Sequence, residues 1–259
     1  MGLTHRVEMI MGTAITIDVV ADRNVDQDVA GAFAWFHEVD ERFSTYKADS
    51  ECSRLRRGEV PASAISPDMR LVLDACEDLR QATGGYFDAY ATGSLDPSGY
   101  VKGWSVQVAS DRLLAAGLDN HCINAGGDVR VRGTGPDGDG WRVGIRHPWE
   151  PRKVAWVVVG TDLAIATSGT YERGTHVIDP FRGVGVDYLV SVTVTGPDLA
   201  IADAYATTAV AMAERGPAWL ATLEGYECAV ITRDGDAMRS DGLPAVPIAP
   251  ESDPQMPPY

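Results

Sequence analysis

Positive charge is in short supply in this 259-residue chain, with 22 Lys and Arg against 37 Asp and Glu and a formal net charge of −15. So acidic a surface repels phosphodiester backbones and anionic headgroups, which argues against nucleic acid or a membrane surface as partner. Long apolar runs are missing too, and nothing approaches the ~18 residues of a membrane span. Residues 7–20 come nearest, but Glu8, Thr13, Thr16 and Asp18 interrupt them. Ile15, Ile17 and Val19 recur there at the period of two that marks a strand, not a signal peptide. Cysteine is sparse: Cys52, Cys76, Cys122 and Cys228 form no CxxC pair and have no His at ligand spacing. That pattern predicts reduced thiols and no zinc site in a cytoplasmic protein.

What is present is ordinary globular material, 45% hydrophobic and 23% charged, long enough to bury a sound core. Residues 5–20 read as a strand pair bent at Met11-Gly12-Thr13. Val25, Val29, Phe33, Phe36 and Phe43 recur at helical spacing, with Asn24 or Asp26 as the cap. A polar loop over 44–66 follows. Ser66-Pro67 opens a second helix whose buried face is Met69, Val72, Cys76 and Leu79, and Thr83-Gly84-Gly85 stops it. A third helix spans 99–116, with Gly117 at its end. Strands are expected near 120–133, 141–146, 154–166 and 188–195, with a turn at 135–140. A helix over 198–215 ends at Gly216-Pro217, and a short helix and a strand at 228–232 complete the body. The pattern predicts an α+β fold: antiparallel strands, helices packed on them, and a cleft between the early helical part and the later sheet. One domain over 1–242 is expected, with a proline-rich tail over 243–259 left unpacked.

Four stretches could carry chemistry. Residues 166–180 combine Thr167, Ser168 and Gly169, whose backbone amides suit phosphate oxygens, with His176 and Asp179. Histidine is the side chain that titrates near neutrality, and an acceptor can orient it. No Gly-x-Ser-x-Gly elbow surrounds Ser168, which excludes a serine hydrolase of that kind. The helix over 198–215 is apolar nearly all round and therefore buried, yet it carries Asp203 and, one turn on, Thr207 on the same face. A buried carboxylate needs a partner. Asp203 is expected to meet either a loop backbone or an Arg, with Thr207 bonding back to its own helix, or a hard cation such as Mg²⁺. Asp96 to Trp104 offers Gly99, Lys102 and Gly103 at a loop-to-helix start. Asn124-Ala125-Gly126-Gly127-Asp128 is either a hairpin turn or a place of close backbone approach.

Taken in order, these stretches resemble the ApbE-like flavin transferases, the FAD:protein FMN transferases. The matching pieces are Met11-Gly12-Thr13, Ser44-Thr45-Tyr46 through Ser50-Glu51, Thr83 to Asp88, and Lys102-Gly103. Asn124 to Asp128, Thr167-Ser168-Gly169 with Tyr171-Glu172-Arg173, His176 to Pro180, and Ala202-Asp203-Ala204 with Thr207 complete them. The resemblance implies an enzyme that moves the FMN half of FAD onto a Thr or Ser hydroxyl of an acceptor protein, with Mg²⁺, releasing AMP. It implies Mg²⁺ on Asp203, Thr207 and the carbonyl of Gly99. It implies FAD contacts at Met11, Tyr46, Tyr86, Phe87, Asp88, Asp96, Lys102 and Ile178; the backbone amides of Thr167, Ser168 and Gly169 are expected at the phosphates. His176, oriented by Asp179 or a nearby carbonyl, would be the base. Arg56 stands where the family usually has Asn, which keeps FAD hydrolysis to FMN and AMP as an alternative; simple FAD storage is another. The lipoprotein signal of many relatives is absent, so the acceptor is expected in the cytoplasm or on a cytoplasmic face.

Overall fold

The computed structural model describes residues 2–170 and 174–248. The chain opens with β1 (Gly2–Ile10) and β2 (Thr13–Ala21), paired in unbroken register from Gly2↔Ala21 to Ile10↔Thr13. Their two-residue turn places Met11 at φ 54° and Gly12 at φ 74°. Positive φ at both positions matches the strand twist, but a methionine held there costs on the order of 1–3 kcal/mol. Helices α1 (Asp26–Phe43), α2 (Glu51–Arg56), α3 (Pro67–Ala82) and α4 (Ser98–Ala115) follow. α3 is as the sequence predicts: the Ser66 hydroxyl accepts from the Met69 amide, and Met69, Val72, Cys76 and Leu79 are its buried side. α2 is not, since it sits inside the expected loop and is capped by Ser50, which accepts from Ser53. α1 starts from Val25 with no side-chain cap, while Asn24 accepts from the Asp26 amide at 2.9 Å.

The rest of the chain is β3 (His121–Ala125), β4 (Asp128–Arg132), β5 (Trp141–Arg146), β6 (Val154–Gly160) and β7 (Asp162–Gly169), then β8 (Ile178–Asp179), β9 (Val184–Gly185) and β10 (Leu189–Gly196). After them come α5 (Leu199–Ala211), α6 (Gly216–Leu220), β11 (Glu227–Thr232), β12 (Ala237–Arg239) and β13 (Ala245–Val246). An eight-stranded sheet runs in the order β1-β2-β3-β4-β7-β10-β11-β12, each neighbouring pair antiparallel. β13-β6-β5 form a separate three-stranded sheet, and β8 and β9 a small hairpin. The fold is α+β.

The strand expected at 154–166 is two strands in two sheets, parted at Thr161: β6 belongs to the small sheet and β7 to the large one. Along β7, Ala164 and Ala166 face the helical core, while Leu163 and Ile165 pack with Val129, Val131, Ile145 and Val158 under the small sheet. Two corrections concern the C-terminal part. α5 stops at Ala211, and Gly216-Pro217 begins α6, where proline's missing N–H costs nothing. Leu243 is buried and Ala245–Val246 pair with β6, so these residues, assigned to an unpacked tail, are structure. Residues 249–259 lie outside the described chain. Among the described residues no helix is long and apolar enough to cross a membrane, and all four cysteines are free thiols.

α4 and α5 cross against the large sheet, and Gly103 makes the crossing possible. A Cβ there would lie 2.5 Å from the Leu199 carbonyl and 2.8 Å from the Asp203 Cβ. Two turns further along α4, His121 is fully buried, with Nδ1 on the Leu118 carbonyl and Nε2 on the Ser110 hydroxyl, both at 2.7 Å. Burial is the main cause that holds its pKa down to about 4. An unfolded chain therefore binds a proton here between pH 6.5 and about 4 that the folded one refuses. Stability from this residue is complete above pH 6.5 and is lost as pH falls towards 4. Between pH 7 and 5 the native protein should lose about 2 kcal/mol more than His121→Gln, read from urea midpoints at the two pH values.

Candidate functional site

The crossing of α4 and α5 brings together residues from distant stretches. Asp203 on α5 is 3% exposed, and its Oδ2 accepts from the Gly103 amide at 3.0 Å. Lys102 sits beside Gly103, and its Nζ is 3.8 Å from the same oxygen. The ammonium also forms an ion pair with Oδ2 of Asp128, the first residue of β4, which is wholly buried. Asp203 thus meets a helix amide and a lysine, not the loop or arginine expected. Burial pushes its carboxyl above the ordinary carboxylate range, against the pull of Lys102 and the Gly103 amide.

One turn along α5, Thr207 Oγ1 lies 3.0 Å from Ser168 Oγ on β7. The bond back to the helix, expected of Thr207, is made instead by Thr208, which donates to the Ala204 carbonyl at 2.7 Å. Gly99 completes the cluster, because a Cβ on it would lie 3.6 Å from Thr207 Oγ1 and 3.5 Å from the Phe87 ring. Strand alternation decides the role of the β7 residues. Ser168 faces α5, whereas Thr167 turns its hydroxyl to Thr193 on the opposite face, at 2.9 Å. The Thr167 amide donates to Asp128 Oδ1 at 3.3 Å, so it is engaged within the protein.

His176 is exposed, and its Nδ1 lies 3.0 Å from the Gly174 carbonyl. A carbonyl can only accept, so Nδ1 carries the hydrogen and the Nε2 lone pair is left outward. Of the two orienting partners expected, the carbonyl is the one in place. The Asp179 carboxylate is turned to the amides of Phe181 and Arg182, at 2.9 and 3.3 Å, and shapes the β8–β9 turn. That turn sets Phe181 against Gly85 and against Tyr86, with ring centroids 4.8 Å apart. Arg215 lies over the Tyr86 ring at 4.9 Å. The hairpin carrying His176 and Ile178 is thereby docked on the segment carrying Tyr86, Phe87 and Asp88.

Phe87 is buried, and Asp88 accepts from the Tyr90 amide at 2.8 Å. Asp96 accepts from the Ser98 amide at 3.1 Å and so shapes the start of α4 just before Gly99. Arg56 donates to Ser94 at 2.6 Å and ties α2 to that same loop. Tyr46 is 97% exposed, and Met11 is the strained turn residue of β1–β2. The Thr13 side chain fills the space at Gly126, so that turn abuts the Gly126–Gly127 turn leading to Asp128. Tyr171, Glu172 and Arg173 lie outside the described residues. Asp128 is the residue that sequence reasoning underused: its segment stood out, but nothing local marked its side chain as a partner of Lys102.

Buried carboxylate, hydroxyl and backbone carbonyl are hard oxygen donors, the kind Mg²⁺ prefers. Among the described residues no three His, Cys, Asp or Glu side chains gather, so a cation here would rest on Asp203 with neutral oxygens. The donor set fits Mg²⁺.

A sequence model of the ApbE family matches residues 11–93 and 89–230. Among curated proteins, the FAD:protein FMN transferase of Vibrio cholerae is 37% identical over 130 residues, covering 46% of this chain and 39% of the relative. The FAD:protein FMN transferase of Rhodobacter capsulatus is 35% identical over 150 residues, covering 54% of this chain and 28% of the relative. The matches thus span less than half the length of these relatives. The solved flavin transferase ApbE of Vibrio cholerae superposes with a TM-score of 0.81 at 26% identity, covering 93% of this chain and 97% of that one. The ApbE protein of Thermotoga maritima shares the fold, with a TM-score of 0.82 at 20% identity over 93% of this chain and 97% of that one.

Proposed function

This chain belongs to the ApbE family, and on that premise we propose that it is an FAD:protein FMN transferase acting on a Thr or Ser hydroxyl of an acceptor protein. The observation that carries the proposal is a run of contacts across three separate elements, with Lys102 beside Asp203 and, one turn along α5, Thr207 beside Ser168 and Gly99. Asp203, Thr207 and the Gly99 carbonyl would hold Mg²⁺, which when bound neutralises charge on pyrophosphate oxygens and on the departing AMP. Lys102, held beside Asp203 by its pair with Asp128, brings to the edge of the same site a positive charge that an acidic protein needs to receive phosphates. The His176 Nε2 lone pair takes the proton of the acceptor hydroxyl as its oxygen attacks the FMN phosphorus. The bond from that phosphorus to the bridging oxygen breaks, AMP leaves with the oxygen, and flavin stays on the protein as a phosphoester.

His176 is exposed, so water can reach the same lone pair. FAD hydrolysis to FMN and AMP is therefore the second reading. Incubation with FAD and Mg²⁺, with and without an acceptor flavoprotein, separates them. Transfer gives AMP and covalent flavin in equal amounts only when acceptor is present. AMP formed without acceptor identifies the hydrolase. If FAD is bound but never cleaved under either condition, the proposal fails.

A further inference from the structure

Among the described residues, three charges meet where α4, α5 and β4 touch. Asp128 and Asp203 are both buried, and one ammonium, that of Lys102, serves the two of them. Counted over the described residues, the cluster holds one more negative charge than positive away from water, which is costly unless a cation completes it. Where the ammonium stands decides which carboxylate keeps that charge. It is in closest contact with Asp128 and 3.8 Å from Asp203.

Asp128 is built to stay where it is. It begins β4 directly after the Gly126–Gly127 turn, its backbone is paired with Ala125 of β3, and its Oδ1 holds the Thr167 amide. Lys102, by contrast, hangs on a flexible four-carbon stem. The fixed member of the pair sets the position of the movable one.

We propose that Asp128 is a positioning residue, anchoring the Lys102 ammonium on the sheet side so that Asp203 stays available to a divalent cation. The inference rests on the metal reading of the preceding subsection and deepens it. Without the charge on Asp128, Lys102 closes on Asp203, the two neutralise each other, and the excess negative charge that attracts a cation disappears. Asp128→Asn is the clean probe, because an amide oxygen can still accept from Thr167 and the shape is unchanged.

The test uses Mg²⁺ alone, titrated into the whole FAD-free protein by calorimetry, with circular dichroism and thermal melts to confirm folding. Asp128→Asn should bind Mg²⁺ at least about tenfold more weakly than the native chain. The double variant Asp128→Asn with Lys102→Met should regain it, because removing the ammonium restores the excess negative charge and frees Asp203. That recovery is what a merely structural role for Asp128 would not produce. Unchanged affinity in the single variant overturns the inference, and so does a double variant that stays weak. Native protein that takes up no Mg²⁺ removes the metal reading itself, and this inference with it.

Discussion

Asp203→Asn should lower Mg²⁺-dependent release of AMP from FAD by about a thousandfold or more, the effect of several kcal/mol of lost charge stabilisation. The fold should survive unharmed. The carboxylate is nearly enclosed, and its burial is the leading influence on its titration, so the native protein bears a desolvation cost at this point. An amide of the same shape can still accept from Gly103, and Lys102 keeps Asp128 as its counter-ion. Removing one of the two described carboxylates around the Lys102 ammonium leaves the Lys102–Asp128 pair matched, so urea stability should hold or rise. Loss of activity with unchanged or higher stability is the signature of a ligand. Loss of both would make Asp203 a structural residue.

The second large effect is expected at His176. Replacement by Gln should slow transfer to the acceptor by about 10²–10⁴-fold, the usual worth of a positioned general base. FAD affinity, followed by flavin fluorescence, should barely move. The ring touches only the Gly174 carbonyl among its described hydrogen-bond partners and stands exposed, so its removal disturbs no packing. Glutamine fills similar space but cannot take up the proton. Equal losses in binding and transfer would assign the residue to substrate binding instead.

How much of this could be read in the sequence depends on the range of each interaction. α3 was legible because its cap, its proline and its buried stripe all lie within one segment. α5 was legible as a buried helix because it is apolar all round, and Asp203 stood out against that background. The division between β6 and β7 was not, because a continuous apolar run does not tell which sheet each half will join. Leu243 and β13 were hidden by neighbouring prolines, although a two-residue strand needs only a free β6 edge to pair with. The pairing expected between His176 and Asp179 followed from closeness in sequence, but the β8–β9 turn claims the carboxylate for its own amides. Lys102 and Asp128 are far apart along the chain and meet only when α4 lies on the sheet.

Family resemblance and geometry answer different questions here. The first points to flavin transfer, and the second explains how an acidic protein could accept a dinucleotide: one lysine and one cation, placed where two buried carboxylates already wait. Everything chemical in the account depends on that cation lying at the junction of α4 and α5.

Crystals grown with FAD and Mn²⁺, read by the anomalous signal of the metal, test that most directly. A metal peak is expected bonded to Asp203, Thr207 and the Gly99 carbonyl, in contact with the pyrophosphate, with Lys102 still held by Asp128. FAD bound with no metal at Asp203, or a metal bound elsewhere on the flavin phosphates, would contradict it.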